Sequence, residues 1–329
     1  MTGERLPPEF QLIAEIFAPL AAGTPGAFGL TDDAAAIEPA PGRRLIVTVD
    51  AIVEGIHFLS DDPPADVARK LLRVNLSDLA AMGARPIGYV MATVLPFDLE
   101  RAWLEGFAAG LADDQKRFGV GLYGGDTAST PGPMTLSLTA FGDAEPGREL
   151  RRSGARPGDR IWVSGTIGDG ALGLKALRGQ LKGVGADGLA YLAGRYRVPT
   201  PRVELGLGLV GLANSAIDIS DGLAADLGHV CETSGVRGVV EAVRVPLSEA
   251  ARQALAAEPG LRADVLGGGD DYELLFTAPS AAADRIAGLG RSLSLPLTEI
   301  GRIEAGAGVT ILDEAGRPIV PEKPGFRHF

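Results

Sequence analysis

Apolar and polar residues along the first half of the chain follow two alternating patterns, one helical and one strand-like. Apolar residues at helical intervals predict helices over residues 10–20, 66–82 and 102–118. Runs rich in aliphatic and β-branched residues predict strands over 45–49, ending at Asp50, and over 87–95. Two more strands are predicted in GVGLYGGDT and MTLSLTAFG. Helices and strands therefore alternate throughout the first half.

A segment without apolar periodicity separates this half from the next. Residues 143–160 interleave glycine, proline and arginine, which is typical of a domain boundary. We therefore predict two domains, 1–145 and 146–329. In the second, a strand is predicted from Ala216, and a helix from near Leu223. Ser220 or Asp221 is expected to cap that helix.

Composition narrows the class of protein. The 329 residues are 46% hydrophobic and 22% charged, as in soluble globular proteins with two domains. A net charge of −11 argues against a nucleic-acid-binding surface. The single cysteine, Cys231, excludes an intramolecular disulfide and a cysteine zinc site, and is interpreted as a small buried hydrophobe. Because no signal peptide or membrane span is recognisable, we expect a cytoplasmic protein without membrane contact.

Asn75 and Asp78 stand three residues apart in an apolar, alanine-rich helical run, VNLSDLAAMGARP. At this spacing both side chains lie on one face of the helix. A carboxylate among apolar residues needs a cation or hydrogen-bond donors to offset its desolvation. We interpret Asp78 as a metal ligand aimed into a cleft. The alternative is an aspartate on the solvated side of an amphipathic helix.

Further aspartates occur at five places, each at a predicted strand end or in a glycine-bearing turn. They are Asp32 with Asp33, Asp50, Asp126 after Gly124 and Gly125, Asp218 with Asp221, and Asp270 with Asp271. Ligands of open α/β sheets collect beyond the carboxyl ends of strands, so these side chains are expected to converge on one cleft. Crowded carboxylates raise one another's pKa, and divalent cations are the simplest counter-charge.

The candidate ligand atoms are all oxygens, including the hydroxyls of Thr48 and Ser220. Such a set suits Mg²⁺ or Ca²⁺ and argues against zinc or copper. Because Mg²⁺ commonly shares its ligands between carboxylates and substrate phosphates, the set indicates phosphoryl transfer from a nucleotide. No lysine is followed by Ser or Thr as a P-loop requires. Metals, the amides of glycine turns and arginines such as Arg152 are therefore expected to hold the nucleotide.

Eight short segments, in order along the chain, resemble the thiamine-monophosphate kinase family, in the superfamily of aminoimidazole ribonucleotide synthetase and selenophosphate synthetase. They are DDAA from Asp32, the strand to Asp50 with EGIHF, NLSDLAAMGARP, GGDT from Gly124, RSGARPGD from Arg152, IDISDGL from Ile217, GGDDYEL from Gly268, and a closing GFRHF. The resemblance implies transfer of the ATP γ-phosphoryl group to thiamine monophosphate, with several Mg²⁺ ions.

The resemblance also implies a fold and a set of site residues. The fold would be that of aminoimidazole ribonucleotide synthetase: an α/β N-terminal half that forms a homodimer through its sheet, an α+β C-terminal half, and ATP in a cleft between the halves. The implied metal ligands are Asp33, Thr48, Asp50, Asp78, Asp126, Asp218 and Asp221. The implied ATP contacts are Gly125, Asp126, Arg152 and Ser220. The implied contacts of thiamine monophosphate are His57, Asp270 and Phe326. No residue is expected to act as an acid, base or nucleophile.

Three of these residues have a structural alternative. His57 can be a hydrogen-bonded turn residue, Phe326 can anchor the C-terminal tail, and Arg152 can be a linker arginine paired with Glu149 or Asp159.

Three other positions depart from the family pattern. Thr31 replaces a glycine, Val49 replaces a residue with a hydroxyl group, and Asp270 replaces a glutamate. Two rival functions also remain. One is an ATP-dependent enzyme of the same superfamily with another acceptor, and the other is a non-catalytic protein that binds divalent metals.

Overall fold

The structure is a computed structural model that describes residues 6–319. The chain forms two compact units. Unit 1 comprises Met1–Leu79 and Ala84–Gly147, and unit 2 comprises Ala80–Gly83 and Arg148–Phe329. Among the described residues, no helix has the length and apolar composition needed to cross a membrane.

Unit 1 begins with a helical segment that the sequence predicts as one helix. It consists of α1 (Glu9–Leu12), a π-helical turn (Ile13–Phe17) and α2 (Ala18–Ala21), followed by a 3₁₀ segment (Pro25–Leu30). Pro19 has no N–H to donate to the preceding turn, which interrupts the regular α-helical pattern here.

A four-stranded sheet with two long helices forms the rest of unit 1. Its elements are β1 (Arg44–Val53), α3 (Pro64–Ala81), β2 (Arg85–Pro96), α4 (Arg101–Phe118), β3 (Gly121–Thr130) and β4 (Thr135–Ala144). The strand order is β1-β4-β2-β3, so β1 and β3 are the two edges. Only β2 and β3 are parallel. Leu72 and Leu76 of α3 are fully buried, as are Leu104 and Phe107 of α4. The mixed α/β architecture predicted for this half is confirmed.

Two aspartates lie inside strands and not at the strand ends or turns that the sequence suggests. β1 continues three residues past Asp50, which pairs with Leu138 of β4. Asp126 pairs with Ala92 in the middle of β3. The glycine before Asp126 is not a turn residue, because Gly125 lies inside β3 and pairs with Met91 of β2. A Cβ on Gly125 would lie 2.1 Å from the carbonyl oxygen of Met91, so no larger residue fits here. The glycine permits close strand pairing, so the turn interpretation was wrong.

Unit 2 contains a seven-stranded mixed sheet and seven α-helices among its described residues. In chain order they are β5 (Asp159–Ser164), α5 (Asp169–Leu177), α6 (Ala186–Arg197), α7 (Val203–Leu209), β6 (Ser215–Asp218), α8 (Leu223–Ser234), β7 (Arg237–Glu241), α9 (Glu249–Ala257), α10 (Arg262–Gly267), β8 (Leu274–Pro279), α11 (Ala283–Leu293), β9 (Leu297–Glu304), β10 (Gly308–Leu312) and β11 (Pro318–Ile319). The strand order is β11-β10-β7-β9-β5-β8-β6.

The main core of unit 2 joins this sheet to α8. Ile161 and Val163 of β5 pack in one cluster with Leu227 of α8 and Leu275 of β8. Cys231 of α8 lies in the same cluster with 1% of its surface exposed, as expected for a small buried hydrophobe. This packing fixes the ends of β6 and β8, where the candidate site residues of unit 2 lie.

Candidate active site

Unit 1 contains a cleft beside β3, which we call the acidic cleft. It has a volume of about 290 Å³, and Asp32, Asp33, Gly125 and Asp126 line it together with apolar side chains such as Phe17. The structure therefore brings together three of the predicted site residues, since Asp33 lies more than ninety positions before Gly125 and Asp126 in the sequence.

The described lining of the acidic cleft contains carboxylates and no cationic side chain. Asp33 and Asp126 are both exposed, and Asp126 Oδ1 accepts a hydrogen bond from the N–H of Thr127 at 2.9 Å. Carboxylate oxygens that face solvent beside hydroxyls such as that of Thr93 form a donor set that fits a hard divalent cation.

A second group of predicted ligands lies where β1 faces α3, and we call it the β1 group: Thr48, Asp50 and Asp78. The Thr48 hydroxyl donates to Asp78 Oδ2 at 2.5 Å. The Asp50 N–H donates to Oδ1 of the buried Asn75 at 3.1 Å, and Asn75 Nδ2 donates to the Leu71 carbonyl at 2.9 Å. Asn75 thus fixes the backbone of β1 against α3, while Asp78 is only partly buried.

The β1 group and the acidic cleft lie at opposite edges of the sheet of unit 1. Because β4 and β2 separate β1 from β3, three strand spacings put Asp50 about 14 Å from Asp126. Thr48, Asp50 and Asp78 are therefore not among the residues that line the acidic cleft, and the convergence of all the acidic side chains on one site stays a prediction. Sequence spacing gives no information on strand order, which determines this separation.

The alternation of β1 also explains Val49. Thr48 and Asp50 are partly buried, whereas Val49 is 60% exposed and lies on the other face of the strand. The side chain at position 49 therefore points away from the β1 group. Thr31, the other departure in this unit, donates its hydroxyl to the Phe28 carbonyl at 2.8 Å and closes the turn before Asp32.

His57 forms the turn contacts that its structural alternative predicts. Its Nδ1 accepts the N–H of Val53 at 3.1 Å, and its carbonyl accepts a hydrogen bond from Lys70 Nζ at 2.9 Å. A ligand contact from the imidazole would therefore come from Nε2.

In unit 2, two loops bring together the predicted residues at the ends of β6 and β8. The N–H of Asp270 donates to the Ser220 carbonyl at 2.9 Å, and the N–H of Tyr272 donates to the Ile219 carbonyl at 2.8 Å. Asp218 ends β6 and is buried, while Ser220, Asp221 and Asp270 are partly buried. One short backbone ladder thus joins the predicted metal, ATP and substrate residues of this unit.

Asp226 was missed by sequence analysis, and its carboxylate binds the backbone just before α8, whose N-cap residue is Gly222. Its Oδ2 accepts the N–H groups of Asp221 at 3.1 Å and Gly222 at 3.0 Å, so neither Ser220 nor Asp221 caps the helix with its side chain. Burial and the neighbouring Asp221 raise the pKa of Asp226 to about 7, although the two N–H groups and Arg152 oppose this. Arg152, itself exposed, therefore lies near this loop.

Asp221 and Asp226 also form a group with His229. The three residues each offer a ligand atom, and these atoms lie within 4.8 Å of one another. His229 is exposed, and one helical turn separates it from Asp226.

Next to Asp270 in the chain begins a set of buried acids and arginines that we call the buried arginine cluster: Asp271, Glu273, Arg195 and Arg202. Glu273 is fully buried and accepts both Nε and Nη2 of Arg202, at 2.6 and 2.5 Å, and Nη2 of Arg195 at 3.0 Å. Burial raises the pKa of Asp271 to about 8, although hydrogen bonds from two backbone N–H groups and the charge of Arg195 lower it. Burial alone would lower the pKa of Arg195, but the neighbouring Glu273 and Asp271 outweigh burial and raise it.

Phe326, the remaining predicted substrate contact, lies outside the described residues.

The two domain families of AIR synthase related proteins match most of the chain. The N-terminal domain family matches residues 31–144, and the C-terminal domain family matches residues 156–314. A thiamine-monophosphate kinase of Caulobacter vibrioides is 43% identical over 98% of this chain and 91% of its own length. The chain belongs to the thiamine-monophosphate kinase family.

Solved structures of this family have the same fold. A thiamine-monophosphate kinase of Stenotrophomonas maltophilia K279a is 44% identical and matches with a TM-score of 0.80, over 86% of this chain and 89% of the other. AaThiL, solved in complex with AMPPCP and TMP, is 32% identical and matches with a TM-score of 0.78, over 92% of this chain and 97% of its own. The thiamine-monophosphate kinase family thus accounts for both units of the chain.

Proposed function

We infer that this protein is a thiamine-monophosphate kinase, which transfers the γ-phosphoryl group of ATP to thiamine monophosphate and yields thiamine diphosphate and ADP. The observation that carries this inference is the 43% identity to a thiamine-monophosphate kinase over 98% of the chain. The ligands of the AaThiL structure, AMPPCP and TMP, correspond to the two substrates. The cytoplasm, where ATP is available, is the location that we propose.

The chemistry requires positioning and charge neutralisation more than proton transfer. The acceptor is a phosphate oxygen that is already ionised at neutral pH, so no general base is needed. The barrier comes from bringing two anions together. We therefore assign the carboxylates of this chain the task of holding cations and orienting substrates.

The donor atoms fit Mg²⁺. We propose three sets of residues as its ligands: Asp33 and Asp126 of the acidic cleft, the β1 group, and Asp218 with Asp221 in unit 2. All offer oxygen, the atom that Mg²⁺ prefers. Bound Mg²⁺ would supply charge neutralisation for the phosphates.

The remaining predicted residues would hold the two substrates. Gly125 lies on exposed backbone in the acidic cleft, and Arg152 and Ser220 lie near the loop after β6. We propose that these three contact ATP. Asp270 has a carboxylate that can accept from the aminopyrimidine of thiamine monophosphate. We propose it and His57 as acceptor-binding residues.

We also propose that the protein is a homodimer through the sheet of unit 1. Leu45, Val47 and Val49 of the edge strand β1 are 37%, 55% and 60% exposed, and they form an apolar row that a second copy can cover. A second copy also explains why the proposed ligands are divided between the two edges of the sheet. The β1 group of one copy would complete the acidic cleft of its partner.

Mixing two inactive variants tests this arrangement. If each site uses the β1 group of one copy and the cleft of the other, Asp78→Asn and Asp126→Asn proteins that exchange subunits recover about a quarter of the wild-type activity, because half of the sites in mixed dimers are intact. No recovery after verified subunit exchange would contradict a shared site.

Acceptor specificity tests the proposed function itself. We expect ADP release from Mg·ATP to require thiamine monophosphate and to stay at background with thiamine or with the phosphorylated substrates of related synthetases. Preferential ADP release with another acceptor would instead support the rival enzyme of the same superfamily. Tight Ca²⁺ binding without binding of Mg·ATP would support a non-catalytic metal-binding protein.

A further inference from the structure

The turn that carries Asp270 has a backbone conformation that residues with side chains rarely adopt. Asp270 has a φ of +67° and Tyr272 a φ of +51°. Left-handed backbone costs free energy in residues other than glycine, and it persists only where the surroundings fix it. The hydroxyl of Tyr272 donates to Asp270 Oδ1 at 3.3 Å, so the two side chains of the turn lie together.

Asp271, between these two residues, fastens the turn to the start of α5. Its fully buried carboxylate accepts the N–H of Gly168 at 2.7 Å and the N–H of Gly170 at 2.9 Å. Its carbonyl accepts Arg195 Nη2 at 3.1 Å, and the same nitrogen donates to Glu273. Asp271 is therefore held at its side chain and at its backbone.

Glu273 fastens the other end of the turn. Besides the two arginines, its Oε2 accepts the hydroxyl of Ser164 at 2.5 Å, and its carbonyl accepts the N–H of Ile219 at 2.8 Å. The turn is thus anchored to β5, to the loop after β6, and through Arg195 to α6.

Gly170 shows how closely α5 approaches the turn. A Cβ at this position would lie 2.3 Å from the carbonyl oxygen of Asp270 and 2.4 Å from its carbonyl carbon. Both neighbours are backbone atoms, so a methyl group here would displace the peptide that follows Asp270.

We propose that Asp271, together with Arg195, is a positioning residue for the acceptor substrate: it holds the left-handed turn in which the Asp270 carboxylate, oriented by Tyr272, contacts thiamine monophosphate. The inference rests on the proposed function. Asp271 itself touches backbone N–H groups and not the substrate, so its effect passes through Asp270.

Two variants perturb the turn by independent means. Asp271→Asn replaces one acceptor oxygen by a donor that faces a backbone N–H. Gly170→Ala changes no charge but adds the methyl group that meets the Asp270 peptide. We expect each to raise the KM for thiamine monophosphate about tenfold or more, the effect of losing one hydrogen bond to a charged group, and to leave the KM for ATP within about twofold. Glu258→Gln, at an exposed position, is the matched control.

A double-mutant cycle separates positioning from a general structural role. If Asp271 acts through Asp270, the variant with both Asp270→Ala and Asp271→Asn has the same KM for thiamine monophosphate as Asp270→Ala alone. Multiplicative effects would overturn the proposal. Equal increases in the KM for ATP and for thiamine monophosphate would also overturn it.

Amide exchange gives a readout that does not depend on activity. The N–H groups of Asp270 and Tyr272 should exchange faster in Asp271→Asn and in Gly170→Ala than in the control, without a general loss of protection in β8. Should Asp271→Asn fail to fold, Gly170→Ala decides the outcome alone. A wild-type protein that releases no ADP with thiamine monophosphate would refute the proposed function, whereas an active wild type with unchanged KM values in the folded variants would refute only the positioning role.

Discussion

The acidic cleft of unit 1 and the buried arginine cluster of unit 2 are both rich in carboxylates but differ in how their charge is balanced. Asp33 and Asp126 are exposed, and no arginine or lysine is found among the described residues that line their cleft. Glu273 is fully buried, and it binds two arginines whose side chains are 12% and 18% exposed.

This difference matches the roles that we propose: ligand binding for the acids of the cleft, and stabilisation of the fold for the acids of the cluster. Carboxylates that repel one another in the folded protein lower its stability unless a cation binds, a cost typical of functional sites. A buried ion pair contributes little net stability as a pair, but removal of one member leaves an uncompensated charge. Neutralising an acid should therefore affect activity in the cleft and stability in the cluster.

The largest expected effect is on stability. Glu273→Gln should lower the free energy of unfolding by about 3–5 kcal/mol, because two buried arginines lose their carboxylate. The Tm should fall by about 2–4 °C for each kcal/mol in a unit of this size. Glu299→Gln is the control, since its pairs with Arg160 and Arg244, at 3.9 and 3.6 Å, are partly exposed and worth at most about 1 kcal/mol. Equal losses of unfolding free energy in Glu273→Gln and Glu299→Gln would show that the buried pairs stabilise the fold no more than the exposed ones.

The next effect is on activity. Asp126→Asn should lower turnover roughly 10²-fold or more, as expected when one strong electrostatic contact to the phosphates is lost. Its Tm without ligands should not fall, because Asp126 is exposed and no cationic side chain is found among the described residues that line the cleft. The control Asp98→Asn, at another exposed aspartate of unit 1, should change neither the turnover nor the Tm. Turnover of Asp126→Asn near the wild-type value would show that the cleft takes no part in the reaction.

The smallest effect tests whether pairing, and not location in unit 1, makes an acid structural. Asp143 of β4 is 1% exposed and lies 2.9 Å from Arg43 Nε and 2.8 Å from Arg85 Nη2. Burial alone would raise its pKa, but Arg85 and Arg43 outweigh burial and hold the pKa below the ordinary value of 3.8. Asp143→Asn should therefore cost about 1–3 kcal/mol at neutral pH.

The pH dependence of that cost follows from the lowered pKa. As the pH falls, Asp143 takes up a proton near pH 3.8 in the unfolded chain and only at a lower pH in the folded protein. The stabilisation by Asp143 is therefore complete above pH 3.8 and is lost as the pH falls through the pKa of the folded protein. Urea unfolding at several pH values should show the wild type and Asp143→Asn converging in acid. A pH-independent difference would mean that Asp143 acts by packing alone.

The sequence predicts well what depends on local spacing. The helical positions of Asn75 and Asp78 place both side chains towards β1, and the alternation around Thr48 and Asp50 places both on the inner face of that strand. Asp218 lies at the carboxyl end of its strand, as expected.

Contacts between distant segments are not predictable in this way. The pairing of Glu273 with Arg195 and Arg202 joins residues more than seventy positions apart, and no local pattern marks it. The separation of Asp50 from Asp126 depends on strand order, which tertiary packing decides. Asp226 resembles any acid in the first turn of a helix until its bonds to Asp221 and Gly222 are seen.

Phosphorus NMR tests the central claim most directly, by following Mg·ATP and thiamine monophosphate with the wild type and with Asp126→Asn. The account predicts diphosphate resonances of thiamine diphosphate and ADP in equal amounts with the wild type. Addition of a chelator should stop their appearance, and Asp126→Asn should slow it roughly 10²-fold. Thiamine monophosphate that stays unchanged with folded wild type and Mg·ATP would contradict the account, as would product formation at the same rate after removal of divalent metal.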